Sequence, residues 1–218
     1  MALSGGKARS HIKMISERIW IALLACILVS APFPLAADEA SEPSPQELIE
    51  GLVSGRAPVG GPFELTDQTG QRRTDRDFRG KLVVLYFGYT CCPDVCPTEL
   101  QSISLALDRL GTAAEAVQPL FITVDPERDT AARLAEFVSS FHPRLIGLTG
   151  PVADIKKTAI AYRTFFVKNN PSAAGEYSVD HTGFIYLVGK DGKYLGFLPP
   201  GAAPDTIADA IRARLGAE

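Results

Sequence analysis

Leu82-Val83-Val84-Leu85-Tyr86-Phe87-Gly88-Tyr89-Thr90-Cys91-Cys92-Pro93-Asp94-Val95-Cys96-Pro97 joins a continuous apolar run to a cysteine-rich turn. The run from Leu82 to Phe87 suits a central strand covered on both faces. Beyond the turn, Leu100, Ile103, Leu107 and Leu110 recur at helical spacing, and Gly111 supplies the stop. Pro97 lacks an N–H and would clash in a helix interior, so it is expected at the first helical position. The residue before a proline avoids the α region, which predicts extended backbone at both Cys92 and Cys96. Cys96 is then expected near a helix cap, where unpaired N–H groups and the helix dipole favour a thiolate. Both thiols are expected to titrate below the free value of about 8.5.

Strands and helices alternate on either side of this stretch. Upstream, Phe63 to Asp67 alternates as a half-buried strand and Gln68-Thr69-Gly70 turns it. Downstream come an apolar strand at Leu120–Val124, a helix at Thr130–Phe141 and another at about Val152–Tyr162. A hairpin is expected from Phe184–Val188 and Tyr194–Phe197 across Lys190-Asp191-Gly192-Lys193, then a last helix at Pro204–Leu215. Strands separated by helices, ending in a hairpin and a helix, predict an α/β sandwich of mixed sheet flanked by helices. The thioredoxin-like arrangement is the natural candidate, because cysteines sit where the first buried strand meets its helix.

The first 62 residues read differently. Residues 1–18 carry Lys7, Arg9, Lys13 and Arg18 against Glu17, a net of +3, whereas the whole chain has −3 and the remainder therefore −6. Ile19 to Ala37 then runs 19 residues without a charge before Asp38, Glu39 and Glu42. A basic start, an apolar run and an acidic exit describe a secretory signal or an N-terminal anchor. The asymmetry keeps the basic end in the cytoplasm and sends the rest across the membrane. An uncleaved membrane anchor is expected, since about 20 apolar residues span a bilayer. Leu35-Ala36-Ala37 meets only half the small-residue requirement of a cleavage site. Residues 38–62, rich in Pro, Gly, Ser and Glu, read as a flexible tether with a short helix at Gln46–Val53. The domain proper is expected over 63–218. Hydrophobic residues make up 46% of the chain and charged residues 22%, a globular balance. An acidic domain without a Lys/Arg stripe argues against nucleic-acid binding.

Cys92 and Cys96 form a C-x-x-x-C pair, and two thiolates held together either form a disulfide or grip a soft metal ion. As a structural staple so small a loop constrains the unfolded chain little. A structural zinc site wants four ligands. Cu(I) asks for less: soft thiolates, low coordination and one imidazole. Cys91 is expected to point away and pack as a small residue, while remaining a competing thiol. Among the histidines, His11 lies in the basic tail and His142 reads as a solvated helix-end residue. His181, in Ser178-Val179-Asp180-His181-Thr182-Gly183, enters the strand that faces the cysteine loop in a thioredoxin-like fold. Asp180 is a candidate to orient its ring, Asp94 a solvated loop carboxylate, and Asp129 a candidate helix cap.

Four segments together carry a family resemblance: Thr90-Cys91-Cys92-Pro93-Asp94-Val95-Cys96-Pro97, Val124-Asp125-Pro126-Glu127-Arg128-Asp129-Thr130, Gly147-Leu148-Thr149-Gly150 and Val179-Asp180-His181-Thr182. In this order, from about Phe63 to the C-terminus, the chain resembles the Sco/SenC family of copper chaperones. The resemblance implies a membrane-tethered, thioredoxin-like domain that binds a copper ion through Cys92, Cys96 and His181. It implies delivery of copper to the CuA-bearing subunit of cytochrome c oxidase, or reduction of that centre's cysteines by Cys92 and Cys96 as a redox-active pair. Other copper chaperones or thiol reductants are implied as partners. The expected location is the inner membrane with the domain in the periplasm; a mitochondrial inner-membrane equivalent is the alternative. Val95-Cys96-Pro97-Thr98-Glu99 also resembles the peroxiredoxin active site. That family expects Thr or Ser three residues before its cysteine, where this chain has Pro93.

Overall fold

In the computed structural model, which describes residues 50–52, 55–172 and 176–216, the apolar run forms β3 (Leu82–Gly88), buried throughout. It pairs in parallel with β4 (Val117–Thr123) and antiparallel with β8 (Ile185–Val188). β4 pairs in parallel with β5 (Ile146–Thr149), whose other edge takes β1 (Glu64–Asp67) and then β2 (Arg72–Thr74). β9 (Tyr194–Leu198) closes the opposite edge, giving a mixed seven-stranded sheet in the order β2-β1-β5-β4-β3-β8-β9. β6 (Phe166–Lys168) and β7 (Val179–His181) form a separate two-stranded ribbon.

The helices are α1 (Val95–Leu110), α2 (Ala131–Val138), α3 (Val152–Ala161) and α4 (Pro204–Leu215). α1 buries Leu100, Ile103, Leu107 and Leu110, the face expected from its spacing, and packs against α4. Gly111 ends it at φ +56°, a conformation costly for residues with a Cβ. α2 lies against β5 and α3 against β1. The mixed sheet with flanking helices agrees with the expected α/β class. Sequence reading passed over β2, β5, β6 and β7, all of four residues or fewer. So short a run gives an alternating pattern little room to emerge.

Two local expectations are overturned. α1 begins at Val95, so Cys96 is helical and Pro97 is the third helical residue. Proline is tolerated there because the first N–H groups of a helix have no intrahelical partner. Its ring would meet the carbonyl four residues back, at Pro93, which precedes the helix. Asp129 does not cap α2: Thr130 does, its side chain accepting from the Arg133 N–H. The expected anchor at 19–37 and most of the tether lie outside the described residues. Of the expected tether helix, Glu50–Leu52 is helical. Among the described residues, no helix is long and apolar enough to cross a membrane.

Candidate metal centre

The cysteines occupy the turn between the C-terminal end of β3 and the start of α1. Burial grades along it: Cys91 is exposed, Cys92 half-buried and Cys96 buried. Gly88 makes room for Cys96, because a Cβ there would stand 2.9 Å from the Cys96 Sγ and 2.8 Å from the Phe121 ring. The turn is fixed from below by Asp129, which is fully buried. Its carboxylate accepts from the Thr90 N–H at 3.0 Å, the Thr90 hydroxyl at 2.6 Å and the Thr123 hydroxyl at 2.6 Å. Thr90 immediately precedes the cysteines, so the packing of Asp129 sets where they start.

The two thiols of the pair titrate in opposite directions. Burial works to raise Cys92, but the N–H groups of Cys96, Asp94 and Val95 outweigh it and hold the thiol below its ordinary value. The Cys92 Sγ thus takes the place of a capping oxygen at the α1 N-terminus, accepting from the Cys96 N–H at 3.5 Å. Asp94, the nominal cap, makes no side-chain capping bond and is exposed, as expected for it. Cys96 departs from its expectation. Burial pushes its thiol up to about 12, against the opposing pull of the Tyr89 N–H. Cys96 is turned into the core, where removing the charged form from water outweighs the helix end.

His181 closes the other side. It ends β7, and its Nε2 lies 3.3 Å from the Cys96 Sγ. Its Nδ1 is 3.1 Å from the Thr182 carbonyl oxygen, an acceptor, so the proton of the neutral ring sits on Nδ1. Nε2 keeps a lone pair aimed at the sulfur. Burial lowers the imidazole pKa, which extends this neutral form to more acidic pH. The rings of Tyr89 and Tyr86 meet it edge-on at centroid separations of 6.0 and 6.1 Å. The Thr182 carbonyl, and not Asp180, is the orienting acceptor; Asp180 is exposed.

Cys92, Cys96 and His181 are therefore neighbours, while His142 stands apart. It lies beside Asp108, twelve residues further along α1 and so about 18 Å from Cys96 along the helix. His142 is half-buried rather than solvated, its Nδ1 accepting from the Arg144 N–H at 3.2 Å. Among the described residues, no three His, Cys, Asp or Glu side chains stand in closed metal-holding geometry. Cys96 and His181 touch directly, and Cys92 meets Cys96 through the Cys96 N–H and through the two side chains. Residue by residue reading missed Tyr89, Tyr177 and Glu99. Glu99 is buried one turn after Cys96, with Oε1 on the Gly201 N–H and Oε2 unpartnered. A glutamate near the start of a helix reads as a dipole partner, and nothing in the sequence distinguishes a buried one.

The SCO1/SenC family model matches residues 53–216. The human mitochondrial SCO1 homolog is 41% identical over 159 residues, covering 72% of this chain and 53% of that protein. The mitochondrial SCO2 homolog of Danio rerio is 45% identical over 154 residues, 70% of this chain and 55% of its own. The chain thus spans about half the length of these curated relatives. The copper-bound structure of Bradyrhizobium japonicum ScoI is 44% identical and covers 72% of this chain and 99% of its own, with a TM-score of 0.67. Copper-bound yeast Sco1 is 37% identical, covering 74% and 91%, with a TM-score of 0.69. On a match that runs through both cysteines and the histidine beside them to the last helix, the chain belongs to the SCO1/SenC family.

Proposed function

We propose that this chain is a copper-binding assembly factor that carries one copper ion to cytochrome c oxidase, with Cys92, Cys96 and His181 as its donors. The contact of the neutral His181 Nε2 with the Cys96 Sγ at 3.3 Å carries the reading. Two soft thiolates and one uncharged imidazole suit Cu(I). Family membership and relatives solved with copper bound support the metal. α1 carries Cys96 and β7 carries His181, and those two proposed donors already stand in contact. Cys92 sits on a turn whose Pro93 and Asp94 are exposed and closes from the solvent side. The Cys96 thiol gives up its proton as copper enters, so retention strengthens as pH rises.

His181→Ala is expected to weaken Cu(I) retention tenfold or more, about 1.4 kcal/mol, while the Cys92–Cys96 disulfide still forms. Competition with a Cu(I) chelator measures the first and thiol titration the second. Unchanged retention with normal oxidase assembly would overturn the reading.

A second reading rests on the unequal thiols. Cys92, half-buried with a lowered pKa, is suited to attack a partner's disulfide. Cys96, buried and protonated, is suited to resolve the mixed disulfide. The partner disulfide gains two electrons and two protons as Cys92 and Cys96 form their own disulfide. The oxidase's copper-centre cysteines are the substrate this reading names. Lost copper retention in His181→Ala with preserved oxidase assembly would select it. On either reading the domain lies outside the cytoplasm, attached through the segment 19–37. A reporter joined after Glu218 should be active only in a form that works beyond the inner membrane; activity of a cytoplasm-only reporter would refute this.

A further inference from the structure

Arg128 occupies a position no donor role explains. Its Nε donates to Asp125 Oδ2 and its Nη1 to the Tyr177 carbonyl oxygen at 2.9 Å. The guanidinium lies 3.6 Å from the centroid of the Tyr177 ring and 5.6 Å from that of Tyr89. Tyr177 returns its hydroxyl to Asp125 Oδ1 at 2.9 Å. Lys168, which pairs with Glu127 at 2.6 Å, stands 3.8 Å from the same ring. Arg128 thus ties three segments: the loop after β4, the residue that opens the cysteine turn, and the approach to β7.

Each tie ends close to the proposed donors. Tyr89 meets the His181 ring edge-on and lies three residues before Cys92. Tyr177 lies two residues before β7, the strand that His181 ends. Among the described residues, β7 pairs only with the three-residue β6, so its own ladder holds it weakly, and the main sheet offers it no hydrogen-bonded neighbour. The Val179 N–H of β7 already meets the Tyr89 hydroxyl, and a planar cation beside both aromatic rings, with two directed hydrogen bonds, adds a further constraint.

We propose that Arg128 is a positioning residue for the copper site, latching the His181 strand to the cysteine turn through Tyr177, Asp125 and Tyr89. The proposal rests on the ligand set given above. Lysine keeps the charge but has neither the fork nor the flat face, so Arg128→Lys removes the latch without removing the cation. Tyr177→Phe removes the hydroxyl, with its bond to Asp125 and its contact with Lys168, but keeps the ring against Arg128, and serves as a milder second variant.

The test is Cu(I) competition on the full chain, with each variant made in wild-type and His181→Ala backgrounds. Arg128→Lys is expected to weaken retention about tenfold in the first and less than twofold in the second, because a latch acting through His181 has nothing left to position. Tyr177→Phe should follow the same pattern with a smaller loss. On the Cu(II) form, the imidazole nitrogen hyperfine coupling should change in Arg128→Lys, which a loss of general stability would not produce. Equal losses in both backgrounds, or no loss with either variant, would overturn the latch. Unchanged retention in His181→Ala alone would overturn the ligand set itself, a result separable from the other two.

Discussion

Replacing Asp129 with alanine is expected to lower the unfolding free energy by about 3 kcal/mol, among the larger effects of one side chain. Three donors converge on its buried carboxylate: the Thr90 N–H, the Thr90 hydroxyl and the Thr123 hydroxyl. A buried donor stripped of its acceptor costs about 1–3 kcal/mol. The hydroxyls can turn to other partners, but the Thr90 N–H is fixed by the backbone. Burial raises the Asp129 pKa, so its charge is held at some cost and removal recovers part of the loss. Asparagine, with one acceptor oxygen, should lose less than alanine. Urea unfolding with an unchanged slope measures both. A loss under 1 kcal/mol for the alanine variant would show that the burial cost cancels the three bonds. Because Thr90 leads into Cys91 and Cys92, the variant should also loosen the turn that presents the thiols.

Much of this was legible in the chain. Leu82–Phe87 announced a strand covered on both faces, and the stripe from Leu100 to Leu110 announced α1, because long runs give periodicity room to show. His181 was reached by topology: a residue entering the strand beside β3 must face the turn that β3 feeds. It proved to end a separate ribbon strand at the same place. The errors have a shared cause. The missing N–H of Pro97 suits the first helical position, although the first helical turn tolerates that absence throughout. The flanking prolines suggest for Cys96 the helix-end environment that Cys92 holds, but its burial depends on Gly88 and the neighbouring strands. The place of Asp129 before a helix suggests a cap, while its partners Thr90 and Thr123 lie on other segments. Sequence spacing shows local chemistry well and shows poorly which side chains the fold turns inward. Arg128 stood in a recognised motif, yet its partner Tyr177 is 49 residues away, and no local pattern joins them.

The largest functional effect is expected at Cys96. Its sulfur contacts His181 and its N–H meets the Cys92 sulfur, so it is the one donor joined to both others. Serine in its place offers a hard hydroxyl oxygen where Cu(I) requires a soft sulfur. Cys96→Ser should therefore drop copper from one equivalent per chain to a small fraction under a competing chelator. Cys91→Ser should keep the full equivalent, because Cys91 is the exposed thiol of the turn. Copper analysis after chelator exchange compares the two. Full loading of Cys96→Ser, or loss in Cys91→Ser, would move the site to the outer pair of thiols.

X-ray absorption at the copper edge of the Cu(I)-loaded chain tests the central claim most directly. The proposed ligand set gives two sulfur donors and one imidazole nitrogen, with the nitrogen lost in His181→Ala and one sulfur lost in Cys96→Ser. A first shell of sulfur alone, unchanged by His181→Ala, would contradict it.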